Sequence, residues 1–303
     1  MELIGQLGSG MAERPTKVDN PWLDRRVICY AHQGGAWEAP SSTLYAISKA
    51  IEAGATGIEL DVHATADGRL VVSHDETVDR TTNGRGRISE MTLDELSRLD
   101  NAYWFVPGAD VTPGLADSDY PFRGLAPRDR RFAVATLDEV LELLSDYPRI
   151  AVNLDIKQTA PAVEPYEEKL ATLLSRYGRS DSAIVASFLD PATEAFSRYA
   201  PHVGTSAGTL AVGEFWRALH DGREPAPMRH VSLQVPLAVG DILVVDDSFV
   251  AAAHQRLMAV HVWTIDDEDQ MRRLVGMGVD GIITDLPTTL VKVLESMGAT
   301  WVP

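Results

Sequence analysis

Two histidines and two closely spaced carboxylates stand at what the sequence predicts to be the ends of neighbouring β-strands. His32 ends one apolar run, Glu59 and Asp61 lie in the next, and His74 ends a third. Side chains alternate along a strand, so Glu59 and Asp61 share one face, about 6.5 Å apart. Such carboxylates repel each other unless a cation lies between them, and oxygen ligands suit Mg²⁺ or Ca²⁺, with Mn²⁺ as a third option. The histidines are then available for proton transfer.

A later strand repeats this spacing with Asp155 and Lys157, which supply a third carboxylate and a cation. An alternative therefore stays open for Glu59 and Asp61. An Arg or Lys on a neighbouring strand, rather than a metal, would then neutralise them.

Composition limits the class of protein. The chain has 303 residues and a formal charge of −17, from 27 Lys and Arg against 44 Asp and Glu, which disfavours nucleic-acid binding. An uninterrupted apolar run of about 18 residues is absent, so no transmembrane segment is expected. The single cysteine, Cys29, cannot form an internal disulfide, which favours a reducing, cytoplasmic location. We interpret residues 1–25 as a loose N-terminal extension without a secretory signal, and 26–303 as one domain.

The hydrophobic pattern predicts the architecture of that domain. Apolar runs of strand length alternate with amphipathic stretches, which is typical of parallel βα units, and the runs suffice for eight barrel strands. Thr92 with Glu95, and Thr136 with Glu139, form the spacing of helix capping boxes. Residues 101–131 interrupt the alternation with several Pro-Gly turns after the His74 segment. We expect this insertion over the C-terminal mouth, as an ordered lid or a surface excursion.

The strand-end residues and several further motifs resemble the glycerophosphodiester phosphodiesterase family. The matching runs follow the family's order and spacing over roughly residues 26–295. They are His32-Gln33-Gly34, Pro40-Ser41-Ser42-Thr43, Glu59-Leu60-Asp61, Val71 to Asp75, Arg80-Thr81-Thr82, Asn153 to Lys157, Val262 to Asp266 and Gly278 to Pro287.

This resemblance implies a TIM (β/α)8 barrel and the metal-dependent hydrolysis of glycerophosphodiesters to glycerol phosphate and an alcohol. It also implies roles for individual residues. His32 and His74 are the expected catalytic acid and base, in either order, Glu59, Asp61 and Asp155 the expected ligands of the divalent cation, and Lys157 a phosphate contact.

Two positions depart from the family pattern. Gln33 replaces an arginine that is expected to touch the phosphate, and Ser41-Ser42 replaces a Glu-Asn pair. Gln33 offers only neutral hydrogen bonds, so a further cation is needed, and Arg binds phosphate bidentately. We predict that Arg123 in the insertion contacts the substrate, with Arg128 and Arg130 as less favoured candidates.

The sequence does not decide between several classes of phosphodiester substrate. Trp263 and Phe188 lie at strand ends and are predicted to line the substrate pocket, although barrel cores also use such residues. A lysophospholipase-D-like enzyme would use an apolar groove, which aromatic residues of the insertion could form. A noncatalytic phosphodiester-binding protein is the other alternative, because of Gln33. The expected partner is therefore a small-molecule or lysolipid phosphodiester, and the oligomeric state is not predicted.

Overall fold

The computed structural model describes residues 20–157 and 166–301 and contains a ring of parallel β-strands inside a layer of helices. The strands are β1 (Ile28–His32), β2 (Gly57–Ala64), β3 (Leu70–Val72), β4 (Phe105–Val106), β5 (Asp110–Val111), β6 (Ala151–Ile156), β7 (Ala183–Ala186), β8 (Gly204–Thr205), β9 (Ser232–Pro236), β10 (Ala238–Val239), β11 (Ile242–Leu243), β12 (Ala259–Trp263) and β13 (Gly281–Thr284). The α-helices are α1 (Leu44–Glu52), α2 (Leu93–Leu96), α3 (Leu137–Leu143), α4 (Tyr166–Arg176), α5 (Asp190–Tyr199), α6 (Thr209–His220), α7 (Asp247–Gln255), α8 (Glu268–Met277) and α9 (Pro287–Met297).

Eight of these strands form a parallel barrel in the order β8, β7, β6, β2, β1, β13, β12, β9. A single parallel bridge between Ser206 and Ser232 joins the two ends of this path. The strand before His74, β3, pairs antiparallel with β2 and lies outside the ring. The predicted (β/α)8 barrel is therefore confirmed.

Local signals in the sequence set where several helices begin. The Thr43 side chain accepts a hydrogen bond from the backbone N–H of Ala46 at the start of α1. Both predicted capping boxes are present, Thr92 with Glu95 at α2 and Thr136 with Glu139 at α3. These bonds satisfy backbone donors that the first helical turn leaves free.

Alternation along the barrel strands separates two environments. Ile58, Leu60 and Val62 of β2 point outward into the core between barrel and helices. Glu59 and Asp61 therefore point into the barrel, where the register places Glu59 beside His32 and Asp61 beside Asp155. Beneath this polar layer an apolar cluster, which includes Ile28, Tyr30, Ala151, Ile184 and Ile283, fills the barrel interior.

The described part of the expected N-terminal extension, residues 20–25, packs against the barrel and is not loose. Trp22 is 2% exposed and belongs to the interior cluster. The Asn20 side chain donates to the carbonyl oxygens of Val231 and Leu257, at 2.7 Å each. Residues 20–25 therefore belong to the folded domain. Burial of Trp22 stabilises this attachment because it removes a large apolar side chain from water. Residues 1–19 lie outside the described residues.

The insertion is ordered and contains the β4–β5 hairpin. Its aromatic side chains pack together, with Phe122 stacked on Phe105 and Phe132 at centroid distances of 5.9 and 5.1 Å. Of the helices within residues 20–157 and 166–301, none is long and apolar enough to cross a membrane.

Candidate active site

Three carboxylates and one lysine form the buried centre of the site. Glu59 and Asp61 come from β2 and Asp155 from β6, and each is at most 7% exposed. The Nζ of Lys157 lies 2.8 Å from Asp61 Oδ1 and 2.8 Å from Asp155 Oδ2. Lys157 therefore pairs with one member of the predicted carboxylate pair, Asp61, and with Asp155 two residues before it.

Burial makes this cluster electrostatically unusual. Burial and the nearby charge of Asp61 raise the pKa of Glu59 to about 8. Burial also raises the pKa of Asp155, against the opposing charge of Lys157. Burial would lower the pKa of Lys157, but the charges of Asp61 and Asp155 outweigh it and the net shift is upward. The two carboxyl groups therefore hold their protons more readily than exposed ones, because they are buried and close to other carboxylates.

Two carboxylate oxygens are candidate ligands for the predicted metal ion. Asp61 Oδ2 and Asp155 Oδ1 are buried and make no hydrogen bond. Unpaired anionic oxygens are donors that a hard divalent cation prefers, so the donor types fit. Among residues 20–157 and 166–301, however, no three acidic, histidine or cysteine side chains are already gathered into a metal-binding group. Lys157 supplies a positive charge between Asp61 and Asp155.

His32 is held by a carboxylate that the sequence did not single out. Its Nδ1 lies 2.6 Å from Asp285 Oδ1, and its Nε2 lies 3.8 Å from Glu59. Burial alone would lower the pKa of His32, but the Asp285 hydrogen bond and the Glu59 charge raise it to about 9. The available signal was that Asp285 directly follows the end of β13, within a motif that matches the family.

Gln33 lies next to His32 but outside the lining of the cavity. Its backbone is in the left-handed region, with φ of 52°, and its N–H donates to the Glu59 carbonyl oxygen at 2.9 Å. Its side-chain Nε2 lies 3.2 Å from His32 Nε2. A contact between Gln33 and the substrate stays a prediction, and the observed contact of its amide is with His32.

His74 faces His32 across the site, with ring centroids 6.5 Å apart. Its Nδ1 lies 2.8 Å from Asp75 Oδ1. Arg80 donates to Asp75 Oδ2 at 2.7 Å and to Asp110 Oδ2, in the insertion, at 3.0 Å. The His74 hydrogen bond and, against burial, the Arg80 contact hold the pKa of Asp75 far below its usual range. A chain of hydrogen bonds therefore connects the insertion to His74.

These residues surround one cavity of about 500 Å³ at the C-terminal end of the barrel. It brings together most of the residues that the sequence predicted. The predicted lining residues that it contains are His32, Glu59, Asp61, His74, Asp155, Lys157, Phe188 and Trp263. Phe188 and Trp263 meet edge to face at 5.5 Å, and Lys157 Nζ lies 5.4 Å from the Phe188 ring centroid.

Sequence reasoning missed a polar pair in the same cavity. Asn153 and Gln234 exchange two hydrogen bonds of 3.0 and 3.1 Å across the barrel. Both line the cavity. Their neighbourhood could not be read from local patterns, because they lie 81 residues apart and on strands that are not adjacent.

The predicted substrate contact of Arg123 is wrong. Its Nε donates to the Tyr103 carbonyl oxygen at 2.9 Å, and another guanidinium nitrogen lies 2.6 Å from Asp117. The guanidinium also lies over the rings of Tyr120 and Trp104, with centroids at 3.5 and 4.6 Å. Arg123 is absent from the cavity lining. The flexible side chain is held inside the insertion because aromatic faces and a carboxylate already satisfy its charge.

Comparisons with known proteins identify the family of this chain. Residues 32–289 match the sequence profile of the glycerophosphoryl diester phosphodiesterase family. A protein of Caldanaerobacter subterraneus called glycerophosphodiester phosphodiesterase is 32% identical over 278 residues, which cover 90% of this chain and all of the relative. The crystal structure of an Agrobacterium tumefaciens glycerophosphodiester phosphodiesterase is similar with a TM-score of 0.67 and 25% identity, over 88% of this chain and 99% of that one.

A third similar structure shares the fold. It is an Oleispira antarctica phosphodiesterase in complex with the product sn-glycerol-3-phosphate, with a TM-score of 0.67 and 22% identity. The match covers 90% of this chain and 99% of the other.

Proposed function

Because this chain belongs to the glycerophosphoryl diester phosphodiesterase family, we propose that it hydrolyses glycerophosphodiesters to glycerol phosphate and an alcohol, with the help of a divalent cation. One observation carries the proposal. His32 and His74, each bonded at Nδ1 to a carboxylate, face the same cavity as three buried carboxylates and Lys157. The product bound to the Oleispira antarctica protein supports glycerol phosphate as the product here.

The two histidines are placed for proton transfer. Asp285 and Asp75 occupy their Nδ1 atoms, and both rings line the cavity; the Nε2 of His32 also lies 3.2 Å from the Gln33 amide, which substrate binding would displace. A centroid separation of 6.5 Å lets one phosphoryl group lie within reach of both rings. In the proposed reaction one imidazole takes the proton of the attacking hydroxyl and the other protonates the leaving alcohol. Such a pair typically contributes about 10² to 10⁴-fold in rate.

The divalent cation would be held by Glu59, Asp61 and Asp155. The free oxygens of Asp61 and Asp155 support this assignment. When bound, a cation of this kind neutralises charge on the phosphate and lowers the pKa of a nearby hydroxyl. The chain's own contribution is Lys157, whose ammonium lies in the cavity and would bind a phosphate oxygen.

The proposal is tested with purified protein and glycerophosphocholine, with glycerol 3-phosphate measured as the product. We expect turnover with Mg²⁺, Ca²⁺ or Mn²⁺ and none in excess chelator. His32→Ala and His74→Ala, checked for folding by circular dichroism, should each lose at least about 100-fold in kcat. Absence of turnover with every cation would overturn the catalytic proposal. Full turnover in excess chelator would overturn only the proposed requirement for a divalent cation.

A further inference from the structure

We propose that the substrate of this site carries an acyl chain, which makes it a lysophospholipid. This rests on the proposed function, because the reaction takes place at the same site. Water adds across the P–O bond to the headgroup, so that its hydroxyl joins phosphorus and its proton goes to the headgroup alcohol. The acyl chain would lie in an apolar groove that continues from the catalytic cavity. We define this groove by Val212, Trp216, Pro236, Val239, Ile242 and Val244.

The chemistry of the groove favours a chain over a polar headgroup. Its walls come from α6, the end of β9, and the β10–β11 hairpin with the residue after it. Within the described lining, the charged side chains are confined to the catalytic half, which contains His32, Glu59 and Lys157. Sugar or choline headgroups are usually recognised by placed polar or charged groups, whereas an acyl chain needs only apolar surface. The groove offers apolar surface.

Exposure of apolar side chains at the groove is unusually high. Val239 is 59% exposed and Ile242 51%, and Leu243 beside them is exposed as well. Phe188 is 53% exposed where the catalytic half begins. A cluster of exposed apolar residues that is continuous with a reaction centre is typical of a ligand-binding groove.

The groove differs in position from the one that the sequence suggested. The sequence predicts that, in a lysophospholipase-D-like enzyme, aromatic residues of the insertion form the apolar groove. In the structure Trp104 and Tyr120 pack on each other at 5.8 Å and on Arg123, and Phe122 stacks on Phe132. The aromatic side chains of the insertion therefore pack against each other and do not line the cavity. The apolar surface at the cavity comes from α6 and the β10–β11 hairpin.

Hydrogen bonds fix the walls of the groove to one another. The Trp216 indole N–H of α6 donates to the carbonyl oxygen of Leu243 in β11 at 3.3 Å. The backbone N–H of Val244 donates to the Leu237 carbonyl oxygen at 3.0 Å, next to the antiparallel pair of β10 and β11. A groove that exists before binding costs little ordering entropy when a chain enters it.

A chain-length series tests the proposal. Lysophosphatidylcholines with about six to twelve acyl carbons, kept below their micelle-forming concentrations, are compared with glycerophosphocholine, which has the same headgroup. Each methylene should raise kcat/KM about fourfold until the groove is filled, because its burial is worth about 0.8 kcal/mol and 1.4 kcal/mol is a factor of ten.

The outcomes separate the two proposals. Turnover of glycerophosphocholine with no gain from longer chains would overturn the acyl-chain inference and keep the proposed function. Turnover of neither substrate would overturn the proposed function. A gain that appears only above the micelle-forming concentration would also overturn the groove, and would indicate docking on a lipid surface.

Two variants test whether the acyl chain of the substrate lies in the groove. Ile242→Asn should lower kcat/KM for the decanoyl substrate about tenfold and flatten the chain-length dependence. The control is Met297→Asn. Met297 is 39% exposed at the end of α9, near the start of β1 and so at the opposite end of the barrel. Equal effects of the two substitutions, or an unchanged chain-length dependence in Ile242→Asn, would overturn the inference.

Discussion

The contact between His32 and Asp285 gives the sharpest test of how the active site is organised. Asp285→Asn keeps the size and shape of the side chain but removes its charge. The wild-type Nδ1 to Oδ1 distance is 2.6 Å, and both side chains are largely buried. The substitution should therefore weaken a charge-assisted hydrogen bond while leaving the barrel intact.

The structure sets the size of the effect. Raising the pKa of His32 from 6.5 to about 9 corresponds to about 3 kcal/mol in favour of the imidazolium. The Asp285 hydrogen bond is the largest contribution that raises it, followed by the charge of Glu59. Losing about half of this stabilisation in the transition state, or about 1.5 kcal/mol, lowers kcat about tenfold. KM should change less, because Asp285 does not line the cavity.

Two measurements check this reasoning. Steady-state kinetics with glycerophosphocholine give kcat and KM, with Asp129→Asn as a control that breaks an ion pair to Arg131 in the insertion. Urea unfolding in chelator gives the second readout. Because the folded pKa of His32 is raised, its stabilisation is present below pH 6.5 and is lost as the pH rises through about 9. Wild type should lose more stability over this window than Asp285→Asn, and identical kcat or pH dependence would refute the argument.

Three further predictions concern the cation, Arg80 and Arg123. Asp61→Ala should weaken the binding of Mg²⁺ or Ca²⁺ at least about tenfold by isothermal titration calorimetry, because a buried carboxylate with a free oxygen is lost; unchanged affinity would exclude it as a ligand. Arg80→Gln should lower kcat about tenfold with little change in KM, since Arg80 holds the Asp75 that binds His74, and equal losses in a variant of surface Arg87 would contradict this. Arg123→Leu should lower the free energy of unfolding by about 1 to 3 kcal/mol without changing kcat/KM, and a fall in kcat/KM would restore its predicted substrate contact.

Much of the barrel followed from local patterns in the sequence. Apolar runs that alternate with amphipathic stretches indicated the βα units, and Thr43, Thr92 and Thr136 marked helix starts by the hydrogen bonds that their side chains make within one turn. Period-two alternation likewise placed Glu59 and Asp61 on one face of β2. These features depend on residues close in the chain, so the sequence alone determines them.

Side-chain contacts between residues that are far apart in the sequence could be identified only from the tertiary structure. Asp285 lies 253 residues from His32 and reaches it because β13 closes the barrel beside β1. Lys157 lies between Asp61 and Asp155 because β6 is the neighbour of β2, a fact that no local pattern contains. Arg123 illustrates the opposite error. The sequence showed a cation in an insertion near the site, and only the folded insertion decides which carboxylate and aromatic faces satisfy its charge, because those contacts depend on distance in space and not along the chain.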